Sequence, residues 1–188
     1  DHCGLSGISR DSGSVSKYYD DWADSYDEDL SRWRYDAPEQ AAAILYRELR
    51  SPRPSTSTVL DAGCGTGLSG MALRSAGFTK IDGIDISRRS LKVAGSTGAY
   101  RRLHKADMQR PPFPIEDDAY EGLVCVGVLT YLTDTAGTLR EFCRMVKSGG
   151  TIVMTQRSDL LIERDFETEL ETLSSDNFFE DVRVSEAR

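Results

Sequence analysis

The stretch VLDAGCGTGLSG, from Val59 to Gly70, carries the strongest structural signal in this chain. A short apolar run is followed at once by four glycines within eight residues. The apolar run predicts a buried strand, and the glycines predict a turn that opens into a helix over residues 67–76. Such a turn lets the backbone approach a ligand, and the helix start directs free N–H groups towards it. Taken alone, the pattern is typical of many α/β proteins that hold a nucleotide-like ligand.

Two details of this turn narrow the class of ligand. A dinucleotide fingerprint that starts at Gly63 needs a glycine at position 68, where this chain has Leu68. The loop also lacks the lysine followed by serine or threonine that defines a phosphate-binding P-loop. An acidic residue, Asp61, stands at the head of the turn. It disfavours a pyrophosphate and favours a ligand that carries an amino group.

Strands and helices alternate through the rest of the chain. Strands are predicted in STVLDAG, KIDGIDIS, YRRLHKAD, YEGLVCVGVL, GGTIVMTQR and NFFEDVRVS, with late helices over 134–146 and 158–174. Such alternation predicts an α/β fold with a doubly wound, mostly parallel sheet between two helical layers. We predict a flexible segment over 1–16 and one domain over 17–188. Its parts are N-terminal helices over 17–50, a ligand-binding core over 57–155, and a C-terminal helix and strand over 156–188.

The ends of the second and third predicted strands carry acidic residues. Ligands of doubly wound sheets bind outside the carboxyl ends of the strands. Asp85, which lies 18 residues beyond Gly67, can accept hydrogen bonds from both hydroxyls of a ribose. The alternative is a helix-start charge that complements the helix dipole. Asp107 can accept from an adenine amino group with Met108 against the ring, the alternative being a surface carboxylate and a core methionine.

Composition excludes several other classes. The formal net charge is −8, which argues against nucleic acid as a partner, because nucleic-acid affinity comes largely from clustered Lys and Arg. No apolar run is long enough to cross a bilayer, so no membrane partner is expected. The four cysteines form no CxxC pair, which suits reduced thiols and a cytoplasmic location, with a nuclear one as the alternative. The two histidines lie at no ligand spacing from a cysteine, so no metal site is expected.

The motifs VLDAGCGTG, GIDIS, KADM, VCVGVL and VKSGGTIVM follow one another over residues 57–155. In this order and spacing the chain resembles the class I S-adenosylmethionine-dependent methyltransferases. The N-terminal run YYDDWADSYDED is similar to the opening of one branch, which includes the methyltransferase-like proteins of the Williams–Beuren syndrome region. The resemblance implies a Rossmann-like sheet, an N-terminal helical lid, and S-adenosyl-L-methionine as the cofactor, with S-adenosyl-L-homocysteine as the product.

The resemblance also implies roles for individual residues. Asp85 and Ile86 would hold the ribose and border the adenine, while Asp107 and Met108 would bind the adenine itself. The remaining implied cofactor contacts are Asp61, Gly63, Cys64, Gly65, Gly67 and Leu68 of the glycine turn, Val126 and Gly127 after the fourth strand, and the lid aromatics Tyr18, Trp22 and Tyr26. For the aromatic residues, the alternative is that they only dock a helix.

The sequence assigns no catalytic residue. Many relatives carry a histidine just beyond the fourth strand, where this chain has Thr130 and Tyr131. Neither is a strong base, so both are candidates only for the pocket of the methyl acceptor, a small molecule or a protein. Three hypotheses remain: an active methyltransferase, a non-catalytic S-adenosylmethionine-binding protein on the same fold, and an NAD-dependent oxidoreductase, which Leu68 disfavours.

The family sheet has seven strands, whereas the chain stops at its sixth predicted strand. We therefore expect that the last strand is missing or that the open sheet edge forms a homodimer contact.

Overall fold

A computed structural model describes residues 11–23, 25–26, 28, 35–49, 54–163 and 165–185. Among these residues, two α-helices precede the first strand, helices separate the consecutive strands except β3 and β4, and two further α-helices follow β5. The strands are β1 (Thr58–Ala62), β2 (Lys80–Asp85), β3 (Arg102–Lys105), β4 (Tyr120–Cys125) and β5 (Val146–Met154). The α-helices are α1 (Ser12–Trp22), α2 (Ala37–Glu48), α3 (Leu68–Ser75), α4 (Arg88–Ser96), α5 (Thr135–Met145), α6 (Ser158–Glu163) and α7 (Phe166–Ser175), and a short 3-10 helix spans Leu129–Tyr131.

The five strands form one parallel sheet in the order β3-β2-β1-β4-β5. The direction of winding reverses between β1 and β4, which places the topological switch point at the carboxyl end of β1. One buried cluster, which includes Leu45, Leu73 and Phe78, packs α2 and α3 against one face of the sheet. A second cluster, which includes Leu139, Phe142 and Leu170, packs α5 and α7 against the other face. The predicted three-layer α/β fold is confirmed.

The start of α1 corrects the flexible segment predicted over 1–16. The helix begins at Ser12 because the Asp11 carboxylate accepts a hydrogen bond from the Ser14 N–H at 3.0 Å and so caps the first turn. Val15, one turn further on, is buried. Residues 12–16 are therefore helical, whereas residues 1–10 lie outside the described residues.

The C-terminal region departs from two predictions. The single helix predicted over 158–174 forms two helices, because Asp165 adopts a left-handed φ of 49° between them. The strand predicted in NFFEDVRVS is wrong, since residues 177–185 contain no strand. Phe179 packs against the core while residues 180–185 are exposed. Alternating apolar and polar residues make a strand only where a neighbouring strand pairs with them, and in the described part of the chain β5 pairs with β4 alone.

No helix in the described ranges has the length and apolar character that a bilayer crossing requires. Across the same ranges, no three His, Cys, Asp or Glu side chains are grouped in a way that could hold a metal ion.

Candidate cofactor-binding site

A cavity of about 70 Å³ lies at the carboxyl ends of β1, β2 and β4, beneath helix α1. Parallel strands end at the same edge of the sheet, so the loops that follow them meet there. The cavity is lined by Val15, Tyr19, Ala23, Tyr26, Gly63, Gly65, Thr66, Asp85, Ile86, Ser90, Asp107, Met108, Gln109, Val126, Gly127, Val128, Tyr131 and Leu132.

The glycine turn after β1 forms one wall of the cavity. The N–H groups of Gly63 and Cys64 both donate to the Ile84 carbonyl, at 2.8 and 3.0 Å, which ties the turn to the end of β2. Gly63 has a φ of +81°, and a Cβ atom on it would lie 2.2 Å from a methyl group of Val128. A side chain at position 63 would therefore be strained by its backbone conformation and would also clash.

Asp85 joins this turn to the start of α4. Its Oδ2 atom accepts a hydrogen bond from the Gly65 N–H at 2.9 Å, and its Oδ1 atom accepts one from the Ser87 N–H at 2.8 Å. Burial raises the pKa of the Asp85 carboxyl group, and the two N–H donors oppose that rise. The result is an acidic acceptor that faces the cavity with its orientation fixed by backbone groups.

Asp107 and Met108 lie on the cavity wall that follows β3. The Asp107 Oδ1 atom accepts from the Gln109 N–H at 3.0 Å, and Oδ2 lies 3.4 Å from the Arg110 Nε atom. Met108 is buried, and its carbonyl accepts a hydrogen bond from the Thr138 hydroxyl of α5 at 3.1 Å. A carboxylate therefore stands beside an apolar thioether at the rim of the cavity.

Helix α1 closes the cavity through a contact between distant residues. The Asp20 carboxylate accepts hydrogen bonds from the Ser87 hydroxyl at 2.5 Å and from the Arg89 N–H at 3.2 Å. The Ser16 hydroxyl donates to the Ile86 carbonyl at 3.4 Å. These bonds fix α1 against the first turn of α4, beside Asp85.

The docking of α1 turns one stripe of the helix towards the cavity. Val15, Tyr19 and Ala23 recur at helical spacing and line the cavity with Tyr26. The Tyr19 ring packs edge-on against Tyr131, with the ring centroids 5.7 Å apart. Burial raises the pKa of the Tyr19 phenol, and the hydrogen bond with Tyr131 raises it further, so the phenol is uncharged. Tyr19, Tyr26 and Tyr131 thus form one wall of the cavity, which we call the tyrosine roof.

Asp61 is fully buried but does not line the cavity. Its Oδ2 atom accepts a hydrogen bond from the Tyr100 hydroxyl at 2.6 Å, while its Oδ1 atom makes no hydrogen bond to any described residue. The Tyr100 hydroxyl also accepts from the Gly70 N–H at 3.0 Å. Burial raises the pKa of the Asp61 carboxyl to about 7, against the opposing effect of the Tyr100 hydrogen bond.

The structure thus separates the predicted site residues into two groups. Ten of the cofactor and pocket candidates line the cavity: Tyr26, Gly63, Gly65, Asp85, Ile86, Asp107, Met108, Val126, Gly127 and Tyr131. Seven do not line it: Tyr18, Trp22, Asp61, Cys64, Gly67, Leu68 and Thr130.

Local contacts explain why the seven candidates of the second group do not line the cavity. The side chain of Cys64 is buried and points back towards Gly83. Gly67, at a φ of +107°, faces Ala94 of α4, and Leu68 is the first residue of α3. Tyr18 and Trp22 contact each other on a neighbouring face of α1, with ring centroids 5.5 Å apart. Thr130 lies on a separate groove beside β5.

Eight lining residues escaped the sequence prediction: Val15, Tyr19, Ala23, Thr66, Ser90, Gln109, Val128 and Leu132. Val15 and Ala23 place an apolar stripe on the helix face that carries Tyr19, but helical spacing does not show which face of the helix meets the cavity. No local signal points to Val128, because its contact with Gly63 joins residues that are far apart in the sequence.

A family model described as a methyltransferase domain matches residues 60–154. Human methyltransferase-like protein 27 is 31% identical over 166 residues, which cover 87% of this chain and 67% of that protein. The chain belongs to the class I S-adenosylmethionine-dependent methyltransferases.

Further relatives agree with this membership. Ubiquinone biosynthesis O-methyltransferase from Nitrosomonas europaea is 34% identical over 109 residues, which cover 52% of this chain and 43% of that protein. The chain thus spans two thirds of the human relative's length and less than half of the bacterial one.

Solved structures are also similar to this chain. One is a chain of the Haloferax volcanii complex between the Trm112 methyltransferase activator and a candidate methyltransferase. Its TM-score is 0.61 at 26% identity, and the match covers 74% of this chain and 59% of that one. A Thermotoga maritima SAM-dependent methyltransferase, at 19% identity and a TM-score of 0.60, covers 89% of this chain and 72% of that one, and shows the fold alone.

Membership of this family implies S-adenosyl-L-methionine as the cofactor, and the cavity lining suits that molecule. Asp85 is an acidic acceptor suited to hydroxyl groups, and Asp107 beside Met108 suits a base that carries an amino group. The glycine turn leaves the backbone accessible, and the uncharged tyrosine roof tolerates an adjacent cation. Among the described residues, no lysine or arginine side chain lines the cavity, which suits a ligand without phosphate groups.

Proposed function

We propose that this methyltransferase-family chain binds S-adenosyl-L-methionine in the cavity and transfers the methyl group to a small-molecule or protein acceptor. The observation that carries the proposal is the position of Asp85, which faces the cavity while the Gly65 and Ser87 N–H groups hold its two oxygens. The cofactor supplies an activated methyl group on a sulfonium, so the transfer is an in-line displacement that needs no protein nucleophile.

The residues of the chain divide the binding task among them. In this proposal Asp85 accepts from the ribose hydroxyls, Asp107 accepts from the adenine amino group, and Met108 packs on the ring. Gly65 and Gly127 leave room for the methionine portion. Their support is that all five line one cavity.

The tyrosine roof of Tyr19, Tyr26 and Tyr131 has a different task in this proposal. It excludes water and restricts how an acceptor approaches, which lowers the barrier by orientation. Because burial raises the pKa of the Tyr19 phenol, this residue is not a general base. The part of the lining that the structure describes contains no histidine, lysine or cysteine. The acceptor atom must therefore bring its own lone pair in an uncharged or already deprotonated form.

The same lack of a basic side chain in the lining favours a second function, a non-catalytic protein that binds the cofactor. The two functions share the binding step and differ only in methyl transfer. Isothermal titration calorimetry with S-adenosyl-L-methionine, S-adenosyl-L-homocysteine and NAD tests the shared step. Tight binding of NAD without a response to the other two ligands would refute both functions.

The variant Asp85→Ala sharpens the binding test. Loss of the carboxylate leaves two ribose hydroxyls and the Gly65 N–H without an acceptor, so affinity should fall about tenfold to a hundredfold. Glu116→Ala, an exposed acidic residue away from the cavity lining, is the matched control and should bind like the parent chain. Equal affinity in both variants would show that Asp85 does not hold the ribose. Transfer of a radiolabelled methyl group to components of a cell extract then separates the catalytic function from the non-catalytic one.

Partners and location form the rest of the proposal. The structural relative from Haloferax volcanii forms a complex with the Trm112 methyltransferase activator, and on that likeness this chain could also act with a protein partner. A homodimer through the open sheet edge and a cytoplasmic location remain predictions. Cys64, Cys125 and Cys143 are free thiols, which is compatible with that location.

A further inference from the structure

Charge is segregated along this acidic chain. Residues 86–110 contain seven of the 23 Lys and Arg residues but only one of the 31 Asp and Glu residues. This segment therefore has a net charge of +6, and the rest of the chain has −14. Residues 158–185, which follow β5 at the other end of the sheet, contain nine acidic and two basic residues. The two ends of the sheet thus carry opposite charge.

The positive segment folds into helix α4 and the edge strand β3. Arg88, Lys92, Arg102 and Lys105 are all exposed, and none of them forms an ion pair with a described residue. We refer to these four residues as the basic edge. Arg88 and Lys105 lie at the end of this edge nearer the cavity, because Arg88 begins α4 and Lys105 ends β3, whereas Arg102 begins β3 at the far end.

Strand geometry distributes the basic edge over both faces of the sheet. The Leu103 side chain packs towards Gly95 of α4. Because side chains alternate along a strand, Lys105 lies on the α4 side with Leu103, and Arg102 lies on the opposite side. Positive charge therefore flanks the edge of β3 on both sides.

The β3 edge also offers backbone groups. Among the described strands, β3 pairs only with β2, so its outer edge presents N–H and C=O groups that no strand of the described chain completes. An extended peptide can add to such an edge by main-chain hydrogen bonds, and its side chains then alternate between the two faces. Acidic side chains of an added strand would meet Lys105 on one face and Arg102 on the other.

We propose that the basic edge binds an acidic, extended polypeptide segment of a partner protein, which pairs with β3 as an additional strand. The basic edge consists of one strand of four residues and a helix of nine, each about 13 Å long. A long nucleic acid would extend beyond it and meet the acidic remainder of the chain. Neither a phosphate chain nor a lipid surface can complete the strand's hydrogen bonds, whereas a peptide can. This interaction surface is separate from the cavity and goes beyond the proposed function.

The alternative explanation is that the positive charges of the basic edge only prevent unwanted strand pairing at β3. Natural proteins place lysine on edge strands to prevent unwanted pairing. Protection predicts that no peptide binds, whereas the proposal predicts saturable binding of acidic peptides. A binding experiment therefore separates the two explanations.

The experiment uses fluorescence anisotropy with the whole chain and a labelled peptide of repeating Glu-Glu-Thr-Thr, which places glutamates on both faces of an added strand. We expect saturable binding at low salt that weakens as salt is raised. The double variant Arg102→Glu with Lys105→Glu should weaken binding by about tenfold or more, because like charges then face the peptide. The control Arg47→Glu with Arg74→Glu makes the same change in net charge at exposed positions outside the basic edge. It should bind within about twofold of the parent chain.

Two further measurements test whether the peptide adds to β3 as a strand and whether the variants are folded. Bound peptide should slow amide hydrogen exchange in residues 102–105, as an added strand requires, and this readout holds even if the double variant does not fold. Thermal unfolding of both variants reports whether they are folded. The proposal is overturned if the peptide does not bind, if both double variants weaken binding equally, if exchange in β3 is unchanged, or if a single-stranded oligonucleotide of equal charge binds more tightly.

Discussion

The buried carboxyl group of Asp61 makes the stability of this protein depend on pH. In the folded chain its pKa is raised by burial from 3.8 to about 7. A raised pKa means that the folded state holds the proton more tightly than the unfolded state does. The contribution of Asp61 to stability is therefore complete below about pH 4 and is lost as the pH rises towards 7. Replacement by asparagine removes the titration and keeps the shape of the side chain.

The size of the effect follows from the separation of the two pKa values. One pKa unit corresponds to about 1.4 kcal/mol. The separation between 3.8 and about 7 is about three units, so ionisation of Asp61 lowers the free energy of unfolding by about 4 kcal/mol above pH 7. About 2 to 3 kcal/mol of this loss falls between about pH 5 and pH 8.5. The neighbours Tyr100 and Cys64 also have raised pKa values, so neither of them titrates in this range.

The assay is urea denaturation of the parent chain and of Asp61→Asn, each at about pH 5 and at about pH 8.5. The absolute stability of the variant is not the readout, because the new amide group has its own hydrogen-bonding needs. The readout is the difference in unfolding free energy, variant minus parent, which should rise by about 2 to 3 kcal/mol from the lower pH to the higher. Groups that do not interact with Asp61 cancel in this difference, whereas the charge of Asp85 contributes to the raised pKa of Asp61 and is part of the measured effect. A difference that stays constant with pH would refute a buried Asp61 that holds its proton near neutrality.

Two further substitutions test how the glycine turn is held in place. Gly63→Ala should destabilise the fold by about 1 to 3 kcal/mol more than Gly98→Ala in thermal unfolding, because both glycines have positive φ but only the first would press a Cβ atom into Val128. Equal losses would mean that the clash is relieved by movement of the loop. Tyr100→Phe should lower the free energy of unfolding by about 1 to 3 kcal/mol in urea, because a buried carboxylate and a backbone N–H both lose their partner. Tyr46→Phe, at a ring that is 55% exposed, should change it little, and the same small change at position 100 would contradict the bridging role.

The parts of the site that sequence predicts are those fixed by local chemistry. Asp85 ends one strand of the parallel sheet, and Asp107 and Val126 follow two others, so the topology alone brings them to one edge. Gly63 was predictable because a tight turn after a strand requires positive φ. In each case the sequence feature that fixes the position of the residue lies within a few residues of it.

The parts that sequence misses depend on contacts between distant residues. Tyr19 faces the cavity because Asp20 binds Ser87, which lies 67 residues away. Helical spacing alone cannot choose between this face and the one that carries Tyr18 and Trp22. Asp61 turns away from the cavity because Tyr100, 39 residues further on, donates to it. Neither contact leaves a signal in the neighbouring sequence.

The absence of the predicted final strand has a similar origin. The run NFFEDVRVS has the right alternation, but a strand also needs a partner at the correct distance and register. Instead, the Arg183 guanidinium forms ion pairs with Glu48 of α2 and with Asp181, and both partners are partly exposed. A pattern of side chains defines which faces of a strand would be apolar, and it does not define whether pairing occurs.

The bond from Asp20 to the start of α4 makes the N-terminal helix part of the thermodynamics of the cavity. Ser87, at the start of α4, donates from its hydroxyl to the Asp20 carboxylate and from its N–H to the Asp85 carboxylate. A ligand that binds more tightly when α1 is docked must strengthen the docking of α1 by the same factor, because linkage is reciprocal. A substitution at Asp20 that weakens the docking of α1 would therefore lower the affinity for such a ligand without touching it.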